Sequence, residues 1–138
     1  MVDPESVRRR LREIGRRLSR LERVREAGRD GFLADSDLQA ATERHFQIAI
    51  QAAIDIAVHI LAEDSDETPE DYADAFIKLG RVGVIDEALA ERLTAAAGFR
   101  NILVHAYLEV DPVLVWSDLD SLEDFRAFSE AIEQYLVG

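Results

Sequence analysis

The chain has 138 residues, no cysteine and a formal net charge of −12, the size of one domain spanning 1–138 with room for a single core. Without cysteine there is no disulfide framework, no thiolate zinc site and no cysteine nucleophile. Without a signal-type apolar segment, or a stretch approaching the ~20 apolar residues of a membrane span, the chain is expected in the cytoplasm. Residues 1–30 hold ten arginines against six carboxylates (+4), while the other 108 hold six Lys+Arg against 22 carboxylates (−16). So acidic a chain is no general nucleic-acid binder, and any contact with RNA has to use a local patch.

In chain order, residues 5–28 place Val7, Leu11, Ile14, Leu18, Leu21 and Val24 three or four apart, one apolar seam at helical period. Glu5 with Arg9 and Glu13 with Arg17 form favourable i,i+4 pairs on it. Ser36 with Gln39 has the pattern of a capping box, opening a second long helix over about 37–63. That helix is apolar on several sides (Ile48, Ile50, Ile54, Ile56, Ile60), and Ala49, Ala52, Ala53 and Ala57 allow close approach. Such a helix belongs at the centre of a bundle or at a subunit interface.

The segment "DSDETPED" breaks the pattern. Thr68 followed by Pro69 predicts a short helix over 69–79, stopped by Gly80. Asp86 caps a fourth helix that runs to about Tyr107, with Gly98 as a candidate kink. Asp111 and Pro112 open the last helix, where Trp116, Leu119, Leu122, Phe125, Phe128, Ile132 and Leu136 recur every three to four residues. No segment alternates as a strand would. The expected fold is an all-α, up-and-down bundle of about five helices.

The fourth helix carries "GFRNILVHAYLEV", residues 98–110, in which Arg100, Asn101, His105 and Tyr107 interrupt an apolar run. At 100° per residue, Arg100 and His105 lie about 140° apart, too far for one tight constellation on a single helix. Pairing with a second copy across a two-fold axis would let His105 of one chain face Arg100 of the other. By themselves these residues also fit a blander reading, with His105 a satisfied structural histidine and Tyr107 an amphipathic residue near a helix end.

"RNILVHAY" resembles the R-x4-H-x-Y signature of HEPN-domain proteins of the HepT type, the toxin halves of bacterial and archaeal toxin–antitoxin pairs. The resemblance extends to "ERHFQIAIQAAIDIAVHIL" (43–61), "YADAFIKLGRVGVIDEALAERLTAAAGFRNILVHAYLEVD" (72–111) and "LEDFRAFSEAIEQYL". It implies a HEPN bundle that forms a homodimer, with the motifs of two protomers lining a shared cleft that acts as a metal-independent endoribonuclease without a cofactor. In that reading His105 moves the proton of a ribose 2′-hydroxyl or of the leaving oxygen, since histidine titrates near neutral pH. Arg100 stabilises the charge on a five-coordinate phosphorane, and Asn101 orients the imidazole or contacts phosphate. The resemblance also implies a partner, a minimal nucleotidyltransferase antitoxin, that transfers AMP to Tyr107. A competing reading is a non-catalytic HEPN module that dimerises and holds the nucleotidyltransferase.

Arg8, Arg12, Arg16 and Arg20 form a stripe at i,i+4, either a solvated face or a contact for RNA or an acidic partner. Arg8, Arg9 and Arg10 sit near the helix start, where cations oppose the dipole. His59 follows Asp55 by four residues and is expected to bond to it. Glu43 and Arg44 are expected to help line the cleft, and His45, His59 and His105 have no metal-ligand spacing.

Overall fold

The computed structural model describes residues 1–105 and 110–138. Its helices are α1 (Pro4–Ala27), α2 (Arg29–Leu33), α3 (Ser36–Asp64), α4 (Tyr72–Arg81), α5 (Glu87–His105), α6 (Pro112–Asp118) and α7 (Leu122–Val137). A 3-10 turn at Leu119–Ser121 joins the last two, and the described residues contain no strand. The five expected helices are all present. Beyond them stand α2, a short turn entered through Gly28 at φ 100°, and the division of the last helix by the 3-10 turn. The expected helix to Tyr107 is described as far as His105, and Tyr107 itself lies outside the described residues.

The seam of α1 packs as its spacing requires, with Val7, Ile14, Leu18, Leu21 and Val24 buried. Asp3 caps α1, accepting from the amides of Glu5 and Ser6, with Pro4 at the first helical position. The Asp3 amide in turn donates to His59 Nε2 at 3.1 Å, so the start of α1 lies against the end of α3. Further along, Arg17 meets His45 Nδ1 at 3.1 Å, and the two helices are therefore antiparallel. The expected His59–Asp55 bond does not form: His59 Nε2 accepts the Asp3 amide, and Asp55 accepts from Gln51 Nε2 at 2.9 Å.

Around α3 the core is built. Phe46, Ile50, Ile54, Ile56, Ile60 and Leu61 are all at most 1% exposed, and α1, α4 and α5 pack against different sides of the helix. Contrary to the sequence reading, α3 is long and apolar enough to span a bilayer, with a window of mean hydropathy 1.4. More than half of that window (56%) is covered by the bundle, as befits a core helix. Its cap also differs from expectation. Asp35, not Ser36, accepts the Leu38 amide, and Gln39 donates to the carbonyls of Phe32 and Leu33. The Gln39 amide thus satisfies the exposed end of α2 instead of closing a box on its own helix.

The third expected helix starts late. Lys78 Nζ bonds the Thr68 carbonyl and Asp74, which ties the 65–71 loop to α4. Asp71 then caps α4 through the Asp74 amide, and Asp74 accepts from the Glu70 amide in return. Nor does Gly80 stop the helix. The Val84 amide reaches the Leu79 carbonyl and the Gly83 amide the Gly80 carbonyl, a Schellman closure with Gly83 at φ 85°. Likewise, α5 passes through Gly98 unbroken.

Gly80 serves the contact between α4 and α5, since a Cβ there would lie 2.8 Å from the Ala90 Cβ. Gly80→Ala should therefore destabilise by about 1–2 kcal/mol, the clash outweighing the ~1 kcal/mol gain in helix propensity. Gly15→Ala, in open space on α1, should stabilise by up to ~1 kcal/mol. Urea unfolding of the two variants checks both signs.

Candidate functional site: an arginine-lined groove beside α5

The rotation of α5 is set by Phe99, which packs edge-on against Phe46 of α3 with ring centroids 5.4 Å apart. The next residue round the helix is Arg100, and this rotation carries it toward the polar edge of α3. There its Nε donates to Gln51 Oε1 at 3.0 Å and its Nη1 to Asn101 Oδ1 at 3.2 Å. The guanidinium carbon also sits 4.9 Å from the centre of the Tyr72 ring. Gln51 is held in turn by its bond to Asp55. Arg100 is thus oriented by three neighbours before any ligand arrives.

Arg100 stands on the wall of a groove of about 690 Å³ between α1 and α3. Helix α1 contributes Arg9, Arg10, Glu13 and Arg16, and α3 contributes Arg44, Gln47, Gln51 and Asp55. Beside it, a smaller groove is lined by Glu13, Arg16, Arg17, Arg20 and His45. His45 is held below the usual histidine range by burial and by the nearby Arg17 and Arg20. Glu43, partly buried, has its carboxyl pushed up by loss of solvation.

His105 is exposed and does not line the groove. No hydrogen bond links it to Arg100 among the described residues, in keeping with their separation round α5. The Asn101 side chain, within one protomer, serves the guanidinium and not the imidazole. Of the stripe on α1, Arg8 pairs with Glu133 of α7 at 3.1 Å and Arg12 with Glu5 at 3.4 Å. Arg16 pairs with Glu13 and alone of these three reaches the groove. Of the two pairs expected along α1, Glu13–Arg17 forms at 2.9 Å, while Glu5 is engaged by Arg12.

Gln51 and Tyr72, which position Arg100, were not foreseen. An amide inside an otherwise apolar and alanine-rich stretch was the one available hint for Gln51. Tyr72 gave none.

The HepT-like ribonuclease family profile matches residues 14–132. The chain belongs to that family. A tRNA nuclease HepT of Aphanizomenon flos-aquae is 33% identical over 137 residues, covering 99% of this chain and 93% of the relative. An mRNA nuclease HepT of Shewanella oneidensis is 32% identical over 116 residues, covering 82% and 87% respectively. Among solved structures, the tri-AMPylated Shewanella oneidensis HEPN toxin in complex with an MNT antitoxin superposes with a TM-score of 0.86 at 29% identity, covering 96% of this chain and 99% of that one. The all-α HEPN bundle read from the sequence is thereby the fold of this HepT-like chain.

A second cavity, of about 220 Å³, lies away from the groove between α3, α5 and α7, with Phe46, Ile50, Phe99 and Phe125 in its wall. Asp118 shares this apolar wall, and burial pushes its carboxyl up to about 6. The folded state therefore holds a proton that the unfolded chain releases near pH ~3.9, and stability falls as pH rises from there through 6. Asp118→Asn should remove that slope and raise Tm at pH 7.5 by roughly 2–4 °C, on the order of 1 kcal/mol after solvent screening. At pH 4 it should change little. Thermal melts across pH 4–8 check this.

Proposed function

We propose that this chain is the endoribonuclease toxin of a toxin–antitoxin pair, with a composite Arg100/His105 site completed by a second copy. The observation that carries the reading is the division of the motif. Arg100 is oriented in a basic groove, and His105 is exposed some 140° round the same helix. One protomer presents the two groups to different places, so a two-fold partner brings an Arg100 to each His105. Apolar surface suited to such a contact is at hand in Ile102, 47% exposed, and Val58, 37% exposed. An exposed His105 also speaks against a purely structural role in the core.

In this mechanism His105 accepts the 2′-hydroxyl proton, the 2′-oxygen attacks phosphorus, and the 5′-oxygen leaves with a returned proton. A 2′,3′-cyclic phosphate remains. Arg100 stabilises the additional negative charge of the phosphorane, and Gln51, Tyr72 and Asn101 hold it ready to do so. DNA, lacking the attacking hydroxyl, is not cut. No step calls for a metal.

His105→Ala and Arg100→Ala should each abolish RNA cleavage in EDTA, with melting changed by less than ~1 kcal/mol. The two variants mixed as refolded heterodimers should regain about half the activity, because one of two composite sites is then intact. No recovery would place the whole site within one protomer. Cleavage surviving His105→Ala would remove His105 from the mechanism, and no cleavage by the unaltered dimer would favour the non-catalytic dimerisation module.

Regulation by the partner follows from Tyr107, two residues beyond His105 in sequence. AMP joined to its hydroxyl adds an anionic phosphodiester and a bulky nucleoside to the motif, opposing substrate phosphate by charge and bulk. A tri-AMPylated HEPN toxin bound to an MNT antitoxin among the structural neighbours supports this. Co-expression with the cognate nucleotidyltransferase antitoxin should add whole AMP units to the intact mass, the first on Tyr107. Tyr107→Phe should stay active and escape that silencing. An unmodified mass, or a first adduct on another residue, would end this part of the reading.

A further inference from the structure

We infer that the α1–α3 groove seats the RNA backbone to either side of the cleaved bond, with Arg9 and Arg44 as its phosphate-holding residues. This rests on the ribonuclease reading above and extends it to residues beyond the motif.

Charge is the first support. The groove gathers five arginines (Arg9, Arg10, Arg16, Arg44 and Arg100) against Glu13 and Asp55, a local balance of +3 in a chain of −12. An acidic body repels RNA everywhere except at such a strip. The second support is which of these arginines are already engaged. Arg10 bonds Ser6 and lies 3.8 Å from Asp55, Arg16 pairs with Glu13, and Arg100 bonds Gln51. Arg9 and Arg44 are exposed and have no hydrogen-bond or ion-pair partner among the described residues. They face one groove from two helices, as donors to an extended anion do.

Position is the third. Arg100, where the reacting phosphate sits in the proposed mechanism, meets Gln51 between the Arg10–Asp55 end of the groove and the Arg44 end, and past Arg16 the groove continues into the smaller one of Arg17 and Arg20. From Arg9 to Arg20 is about 16 Å along α1, room for neighbouring phosphates of the same strand. Among the described residues no aromatic ring lines the main groove, whose apolar lining is Ile48 and Ala52. Its described lining offers charge to a backbone, the kind of contact that positions a strand without reading its sequence.

The test is fluorescence anisotropy of a labelled single-stranded RNA of about a dozen nucleotides, titrated over salt, on the full chain carrying His105→Ala. Adding R9Q/R44Q should weaken binding roughly tenfold or more near 0.1 M salt. It should also flatten the slope of log K against log salt by roughly 1.4, at ~0.7 per phosphate contact. R23Q/R29Q, which removes equal charge outside the groove, should change affinity less than about twofold. Single-stranded DNA of the same length should lose as much as RNA from R9Q/R44Q. Unchanged affinity and slope in a R9Q/R44Q protein with wild-type melting would overturn the proposal. So would loss of the nucleotidyltransferase partner with RNA binding intact, which would make the groove a protein interface. Cleavage by the chain with His105 intact is measured separately. If it fails while the binding results hold, the groove stands and the ribonuclease reading falls.

Discussion

Because α3 buries large apolar side chains on several sides at once, the remaining helices have little choice but to surround it. Its polar strip of Arg44, Gln47, Gln51 and Asp55 is spaced three and four residues apart and so aligned along one edge of the helix. That strip is the floor of the groove. The same burial that stabilises the bundle therefore collects the polar residues of its central helix into a line. Antiparallel α1 then sets its own arginines beside that line, tied at one end by Asp3–His59 and further along by Arg17–His45.

The Phe46–Phe99 contact converts this packing into a site. An edge-to-face pair in a dense core leaves little rotational freedom, so the residue after Phe99 must emerge at the α3 edge. Arg100 arrives there to find an amide oxygen and an aromatic face, and loses little further entropy when it meets an anion. His105 is carried away by the same helical geometry that delivers Arg100. In the proposed reading, dimerisation is then a requirement of the chemistry.

Electrostatics are arranged in the same economical way. Most ion pairs here are exposed, such as Arg8–Glu133 and Arg12–Glu5, and exposed pairs contribute little to stability. Their effect is to neutralise the outer side of α1 while its inner side keeps arginines without partners. An acidic surface with one basic strip restricts the ways a polyanion can approach.

Periodicity alone determined the helices and the seam of α1, since each depends only on residues three or four apart. The R-x4-H spacing, and the angle it forces between Arg100 and His105, were legible for the same reason. Termini were less so. Asp35 and Asp71 outcompeted Ser36 and Thr68 as caps because Gln39 and Lys78 were drawn to carbonyls outside their own helices. Gly80 looked like a stop but is a packing contact with Ala90, and Gly83 makes the turn. Only the tertiary structure could bring Gln51 to Arg100, 49 residues away, or set Arg9 and Arg44 along the same groove. Those placements depend on how one helix is rotated against another, and that rotation is decided by core side chains such as Phe46 and Phe99, not by the residues that end up meeting.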